Sequence, residues 1–129
     1  MIAVDTNLLV RVLTGDDPAQ ARRAVKILES DQILIPKTVI LETEWVLRYA
    51  YEIETSRIIE GLKKLLGLPN VSVEDPDTVT QAISWFEDGL DFADALHLAS
   101  SRRADKFVTF DGAFAKRARN VTALKVVKP

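Results

Sequence analysis

The sequence predicts an α/β fold, because short apolar runs alternate with longer segments of helical period and no repeat or long linker interrupts them. That alternation argues for a parallel sheet covered by helices on both faces, since parallel neighbours need a crossover and a helix supplies it. At 129 residues one domain spanning 1–129 is expected, long enough to bury a core without staples.

The elements follow in order. Ile2-Ala3-Val4 is the first strand, and Thr6 to Leu13 a helix with Leu8, Leu9, Val12 and Leu13 on one side. Asp16-Asp17-Pro18 is a helix start, with Asp17 as cap and Pro18 at the first helical position. Ala21, Ala24, Val25 and Leu28 give that helix its apolar stripe. Ile33 to Ile35 is a second strand, stopped by Pro36. Thr38 is placed to cap a long helix to about Tyr51, carrying Val39, Ile40, Val46, Leu47 and Tyr49. Thr55 is placed to cap the next, with Ile58, Ile59, Leu62, Leu65 and Leu66. Val71 to Val73 is a third strand, and Asp75-Pro76 opens a helix through Phe86 that Asp88-Gly89 breaks. Asp91 to Arg103 is an Ala- and Leu-rich helix. Phe107 to Thr109 is a fourth strand, Gly112 to Ala118 a short helix, and Ala123 to Val127 a fifth strand.

Composition narrows the function classes. There is no cysteine, which excludes disulfides and thiolate metal sites and suits a reducing cytoplasm. The opening Met-Ile-Ala-Val-Asp lacks the basic-then-apolar pattern of a signal peptide. No stretch reaches the ~18 apolar residues of a membrane span. A soluble cytoplasmic protein with no membrane partner is expected. Seventeen basic and nineteen acidic residues leave a formal charge of −2. Binding of nucleic acid by bulk charge is therefore excluded. Either nucleic acid is not the substrate, or binding is local and a cation offsets an acidic site.

Four carboxylates mark the candidate site. In open α/β sheets ligands sit outside the carboxyl ends of the strands. Asp5 ends the first strand and Asp111 follows the fourth. Glu42 lies near the start of the helix after the second strand, and Asp94 in the first turns of the helix before the fourth. All four can share one crevice if strands one and four are neighbours. Asp91 and Asp94 share a helix face, so Asp91 either caps the helix or joins the site. Glu44 is expected to face away from Glu42. At ~4 to 5 Å each like-charge pair costs roughly several kcal/mol at an effective dielectric near 20. A hard cation such as Mg²⁺ or Mn²⁺ offsets that and prefers oxygen ligands. It can activate a water and neutralise a phosphodiester.

Each acid taken alone has an ordinary explanation. Asp5 can cap a helix, Glu42 can sit on a surface, Asp94 can complement a helix dipole, and Asp111-Gly112 can be a turn. The joint pattern is harder to explain by capping. Thr6, Asn7 and Thr109 stand beside these acids, to orient carboxylates or a water, or to make ordinary turn hydrogen bonds. His97, the one histidine, reads as a packing or hydrogen-bonding residue rather than a ligand. Trp45, Tyr49, Trp85 and Phe86 read as core or interface. Arg22-Arg23 and Arg102-Arg103 read as solvated faces. Lys116-Arg117 with Arg119 read the same way, but they closely follow Asp111 in sequence and are the best candidates for phosphate contacts.

Four motifs together resemble one family. They are Val4-Asp5-Thr6-Asn7, the run from Thr38 to Arg48 (TVILETEWVLR), the run from Asp91 to Ala99 (DFADALHLA), and Val108-Thr109-Phe110-Asp111. Each is weak singly, but all four in this order resemble a PIN domain, specifically the VapC-type toxins of bacterial and archaeal toxin–antitoxin pairs, over essentially the whole chain. The resemblance implies a parallel five-stranded sheet between helices and Mg²⁺- or Mn²⁺-dependent RNA cleavage. It matches Asp5, Glu42, Asp94 and Asp111 to the family's acidic quartet as catalytic and metal-binding residues, with Asp91 as an optional fifth acid. It also implies a homodimer and inhibition by a cognate VapB-type antitoxin.

Two other readings compete. An aspartate-based phosphotransfer domain would use an Asp-x-Asp motif or adjacent acids after the first strand, where this chain has Asp5 and Asn7. A non-catalytic metal-binding interaction module would bind the ion without cleaving RNA.

Overall fold

The computed structural model describes all 129 residues, Met1–Pro129. They group into two compact units, Met1–Pro76 and Asp77–Pro129.

The first unit carries β1 (Ile2–Ala3), α1 (Thr6–Thr14), α2 (Pro18–Ser30), β2 (Ile33–Ile35), α3 (Lys37–Tyr49), α4 (Thr55–Leu66) and β3 (Val71–Val73). Its three strands form a parallel sheet in the order β1-β2-β3, with Ile2 opposite Ile33 and Ile33 opposite Val71. Ile33, Ile35 and Val71 are buried, so β2 supplies the centre of this core. The helices add Leu9, Val10, Leu28, Ile40, Leu47, Ile58 and Leu62. Gly15 ends α1 at φ 71°, a left-handed turn that costs glycine little, and its N–H bonds back to the Arg11 carbonyl.

The second unit carries α5 (Pro76–Glu87), whose first residue belongs to the unit before, then α6 (Phe92–Ala99), β4 (Lys106–Val108), α7 (Gly112–Ala118) and β5 (Lys125–Val127). Its two strands pair in parallel, Phe107 opposite Val126. Phe86 stacks on Phe92 at 5.3 Å, and Phe107 meets Phe114 edge-on at 5.6 Å. Those pairs join α5 to α6 and β4 to α7.

The alternation of strands and helices stands, but the single five-stranded sheet does not. Hydrogen bonding divides the strands into a three-stranded and a two-stranded parallel sheet, because β1 pairs with β2 and β4 with β5. Strands of two or three residues offer few ladder positions. Three helix boundaries also differ from the sequence reading. Neither Thr38 nor Thr55 caps its helix; Pro36 and Glu54 hold the cap positions without a side-chain bond. The orphan Lys37 N–H is met instead by the Glu74 carboxylate at 2.9 Å, and Lys37 Nζ pairs with Asp75. The helix expected to reach Arg103 ends at Ala99 and continues as turns. No helix is long and apolar enough to cross a membrane.

Candidate active site

On the first unit, Asp5 lies two residues past the end of β1 and caps α1, accepting from the Leu8 N–H at 3.3 Å through Oδ1. Thr6 is buried, and its hydroxyl donates to Oε1 of Glu42 on α3. Thr6 thus brings Glu42 to the N-terminus of α1, beside Asp5. Asp5, Asn7 and Glu42 are all exposed at this edge, as open ligand groups must be. Asn7 also lines a groove of about 490 Å³ between α1 and α2, together with Leu8, Arg11, Arg23, Lys26 and Ile27.

Glu44 faces away from Glu42, as its spacing predicts, and the side it faces is the interior. It is fully buried and held by Arg48, with Nε to Oε2 at 2.7 Å and a second nitrogen to Oε1 at 3.0 Å. A two-residue step on a helix turns the side chain by roughly 200°. Facing away from Glu42 therefore meant facing inward. The i, i+4 arginine was the signal available in the sequence.

On the second unit, Asp91 caps α6, accepting from the Asp94 N–H at 3.2 Å. Asp111 caps α7, accepting from the Phe114 N–H at 3.0 Å, while Thr109 Oγ1 accepts from the Asp111 N–H at 3.0 Å. Thr109 therefore fixes the turn that presents Asp111. Between these two caps lies half-buried Asp94. Burial first, then the Asp91 and Asp111 carboxylates, push its pKa above the usual carboxylate value; His97 opposes them. The two helix starts thus place Asp94 in the field of both capping carboxylates.

His97 is exposed rather than packed. Trp45 and Tyr49 are exposed too, so they are not core; Phe86 is. Lys116, Arg117 and Arg119 lie on the last turn and cap of α7, about 10 Å along the helix from Asp111 at its start. The cation that does reach this end is Lys128. A Cβ on Gly112 would stand 3.2 Å from Lys128 Nζ, which lies over the first residue of α7. Sequence distance hid it, because β5 returns beside β4 before Lys128.

The donor chemistry suits a hard cation: every candidate ligand is a carboxylate oxygen. Oδ1 of Asp5 and of Asp111 serves its own helix, and Oδ2 remains available. As they stand, no three His, Asp or Glu residues form a ready-made cation cage.

A search of curated protein sequences gave no match. Among solved structures, the chain is similar to the crystal structure of Mycobacterium tuberculosis VapC20, described as a sarcin-ricin loop cleaving toxin. The identity is 21% and the TM-score 0.45, over 97% of this chain and 99% of that one. The profile of the PIN domain matches residues 2–120, nearly the whole length, and the chain belongs to the PIN domain family.

Proposed function

We propose that the chain is a Mg²⁺- or Mn²⁺-dependent endoribonuclease of the VapC type, the toxin of a toxin–antitoxin pair. The observation that carries this reading is the crowding of Asp94 by Asp91 and Asp111 at the starts of α6 and α7. A fold keeps mutually repelling carboxylates at a functional site more readily than elsewhere. Membership of the PIN family supplies the reaction class that such acids serve.

In this reading Asp5, Glu42, Asp94 and Asp111 are the catalytic acids and the ligands of the cation. When bound, the cation activates a water and neutralises charge on the phosphodiester. The residues prepare for that in distinct ways. Thr6 donates to one oxygen of Glu42 and so orients that carboxylate. Helix capping fixes Asp5 and Asp111, each by one oxygen. Asp91 commits one oxygen to the Asp94 N–H, as Asp5 and Asp111 do to their own helices, and stays the optional fifth acid. Thr109 sets the turn that carries Asp111. RNA is the substrate, a VapB-type antitoxin the inhibitory partner, a homodimer the assembly and the cytoplasm the location.

The test is cleavage of a panel of structured cellular RNAs with Mn²⁺, with Mg²⁺ and with EDTA, by the wild type and Asp94→Asn. Internal cuts are expected with either cation, none with EDTA, and a loss of more than about a hundredfold in the variant. Cleavage that survives EDTA, or an inert wild type across the panel, would contradict the proposal.

A further inference from the structure

Asp111 lies between two groups that the candidate cation site does not use. Before it in the chain is Phe110, 86% exposed. After it is Gly112, over which Lys128 lies: a Cβ there would stand 3.1 Å from Lys128 Cε and 3.2 Å from Nζ. The bare glycine therefore leaves the room that the lysine side chain occupies. Strand β5 brings Lys128 to this place, because Val127 pairs with Val108 and its carbonyl accepts from the Thr109 N–H at 2.9 Å.

Lys128 is exposed and forms no ion pair with Asp111 or any other acid. Its charge opposes a metal cation at Asp111, so it does not serve to hold the metal. It suits an anion that arrives with the metal, as a phosphate does. A single exposed phenylalanine needs no explanation of its own, but the setting of Phe110 supplies one. Thr109 is tied to Val127 and to the Asp111 N–H, so the backbone beneath the ring is fixed before any ligand arrives. Phe110 and Val108 are the only large apolar side chains exposed on the second unit. Two side chains fall far short of a stable protein interface. A flat ring beside an unpaired ammonium has the parts of a nucleotide site instead: a face for the base and a charge for the phosphate.

We propose that Phe110 and Lys128 form a nucleotide subsite beside Asp111, the ring stacking on a base and the ammonium holding the phosphate next to the one cleaved. The ring springs from a Cα about 3.8 Å from that of Asp111, and the ammonium lies over the residue that follows. Both are therefore within reach of a nucleotide adjoining the cleaved bond. The proposal rests on the ribonuclease reading and adds the groups that hold the substrate there. It assigns to Lys128 the phosphate contact that proximity in sequence suggests for Lys116, Arg117 and Arg119. It also lets a chain of formal charge −2 bind RNA, since the contact is local.

An RNA that the wild type cuts with Mn²⁺ supplies the assay. Lys128→Met keeps the stem and removes the charge. It should raise KM with kcat little changed, and lower the slope of log KM against log KCl concentration by about one unit. Lys128→Arg should restore both. Gly112→Val moves the ammonium without removing it, so it should raise KM in the wild type and add nothing in the Lys128→Met background. Phe110→Ala should raise KM roughly five- to a hundredfold. Phe110→Tyr should restore it, and Phe110→Leu, apolar but not flat, should not. Lys128→Met and Phe110→Ala should melt with the wild type, because neither side chain is buried. If the wild type cleaves RNA but Lys128→Met or Phe110→Ala leaves KM unchanged, the subsite is wrong and the ribonuclease reading survives. If Phe110→Leu serves as well as Phe110→Tyr, or Phe110→Ala alters only the oligomeric state in sedimentation, the ring is an apolar protein contact and the proposal falls. A wild type that cuts no RNA overturns both.

Discussion

The hydroxyl of Thr6 donates to a carboxylate oxygen of Glu42, 36 positions away in the chain. It is the contact through which the end of β1 and the helix α3 come to share one acidic edge. Thr6→Val keeps the shape of the buried side chain and removes the donor. A loss of about 1 kcal/mol is expected, because the exposed Glu42 carboxylate recovers water in exchange. Urea unfolding measures it. A variant as stable as the wild type would mean that Thr6 is held there by packing alone.

Asp94 gives a pH dependence with a definite sign. Its pKa is raised above 3.8 by burial and by Asp91 and Asp111, so the folded state favours its neutral form. That contribution to stability is complete below 3.8, where both folded and unfolded chains hold the proton, and it is lost as pH rises through the raised value. Asp94→Asn is neutral at every pH. In EDTA the variant should therefore be more stable than the wild type near neutrality. The advantage should shrink as the pH falls toward 3.8. Paired thermal melts across pH check the trend, and a gap that widens in acid would refute it.

Arg48 is expected to matter for stability more than any exposed cation. It pairs with Glu44, which is 1% exposed. Arg48→Met leaves that carboxylate without its guanidinium partner, a loss of about 3 kcal/mol. Replacing the pair together, with Glu44→Leu and Arg48→Met, should recover much of it. Chemical denaturation of the three proteins decides between a needed partner and a dispensable surface ion pair.

Thr43 makes the opposite case on the same helix. Its hydroxyl is fully buried and has no hydrogen-bond partner. Thr43→Val removes an unsatisfied polar atom at nearly constant volume, and a gain of about 1 kcal/mol is expected in urea. A loss would show that the hydroxyl is satisfied in solution, as by a bound water.

Much of this was legible because local rules and tertiary structure agree. Asp17-Pro18 starts α2 as its chemistry requires, with the Asp17 carboxylate on the Gln20 N–H at 3.2 Å. The Gly112–Ala118 helix is bounded by an aspartate cap and a following turn. Asp5 and Asp111 were placed by their positions after strands. What escaped depends on contacts that spacing does not encode. Glu74 replaces Thr38 as the partner of the α3 start, because it comes from the residue after β3. Lys128 reaches α7 from the far end of β5. Glu44 turned inward because Arg48 made a buried carboxylate tolerable. The split of the strands into two sheets is a matter of pairing, which the strand signal itself does not specify.

Thermal unfolding with Mn²⁺ against EDTA tests the proposed cation site most directly, without knowledge of the RNA target. Mn²⁺ should raise the melting temperature of the wild type, since a ligand of the folded state alone stabilises it. Asp94→Asn should lose most of that shift while its metal-free form is no less stable than the wild type. A wild type indifferent to Mn²⁺, or a variant that keeps the full shift, would contradict the claim and leave these carboxylates as helix caps.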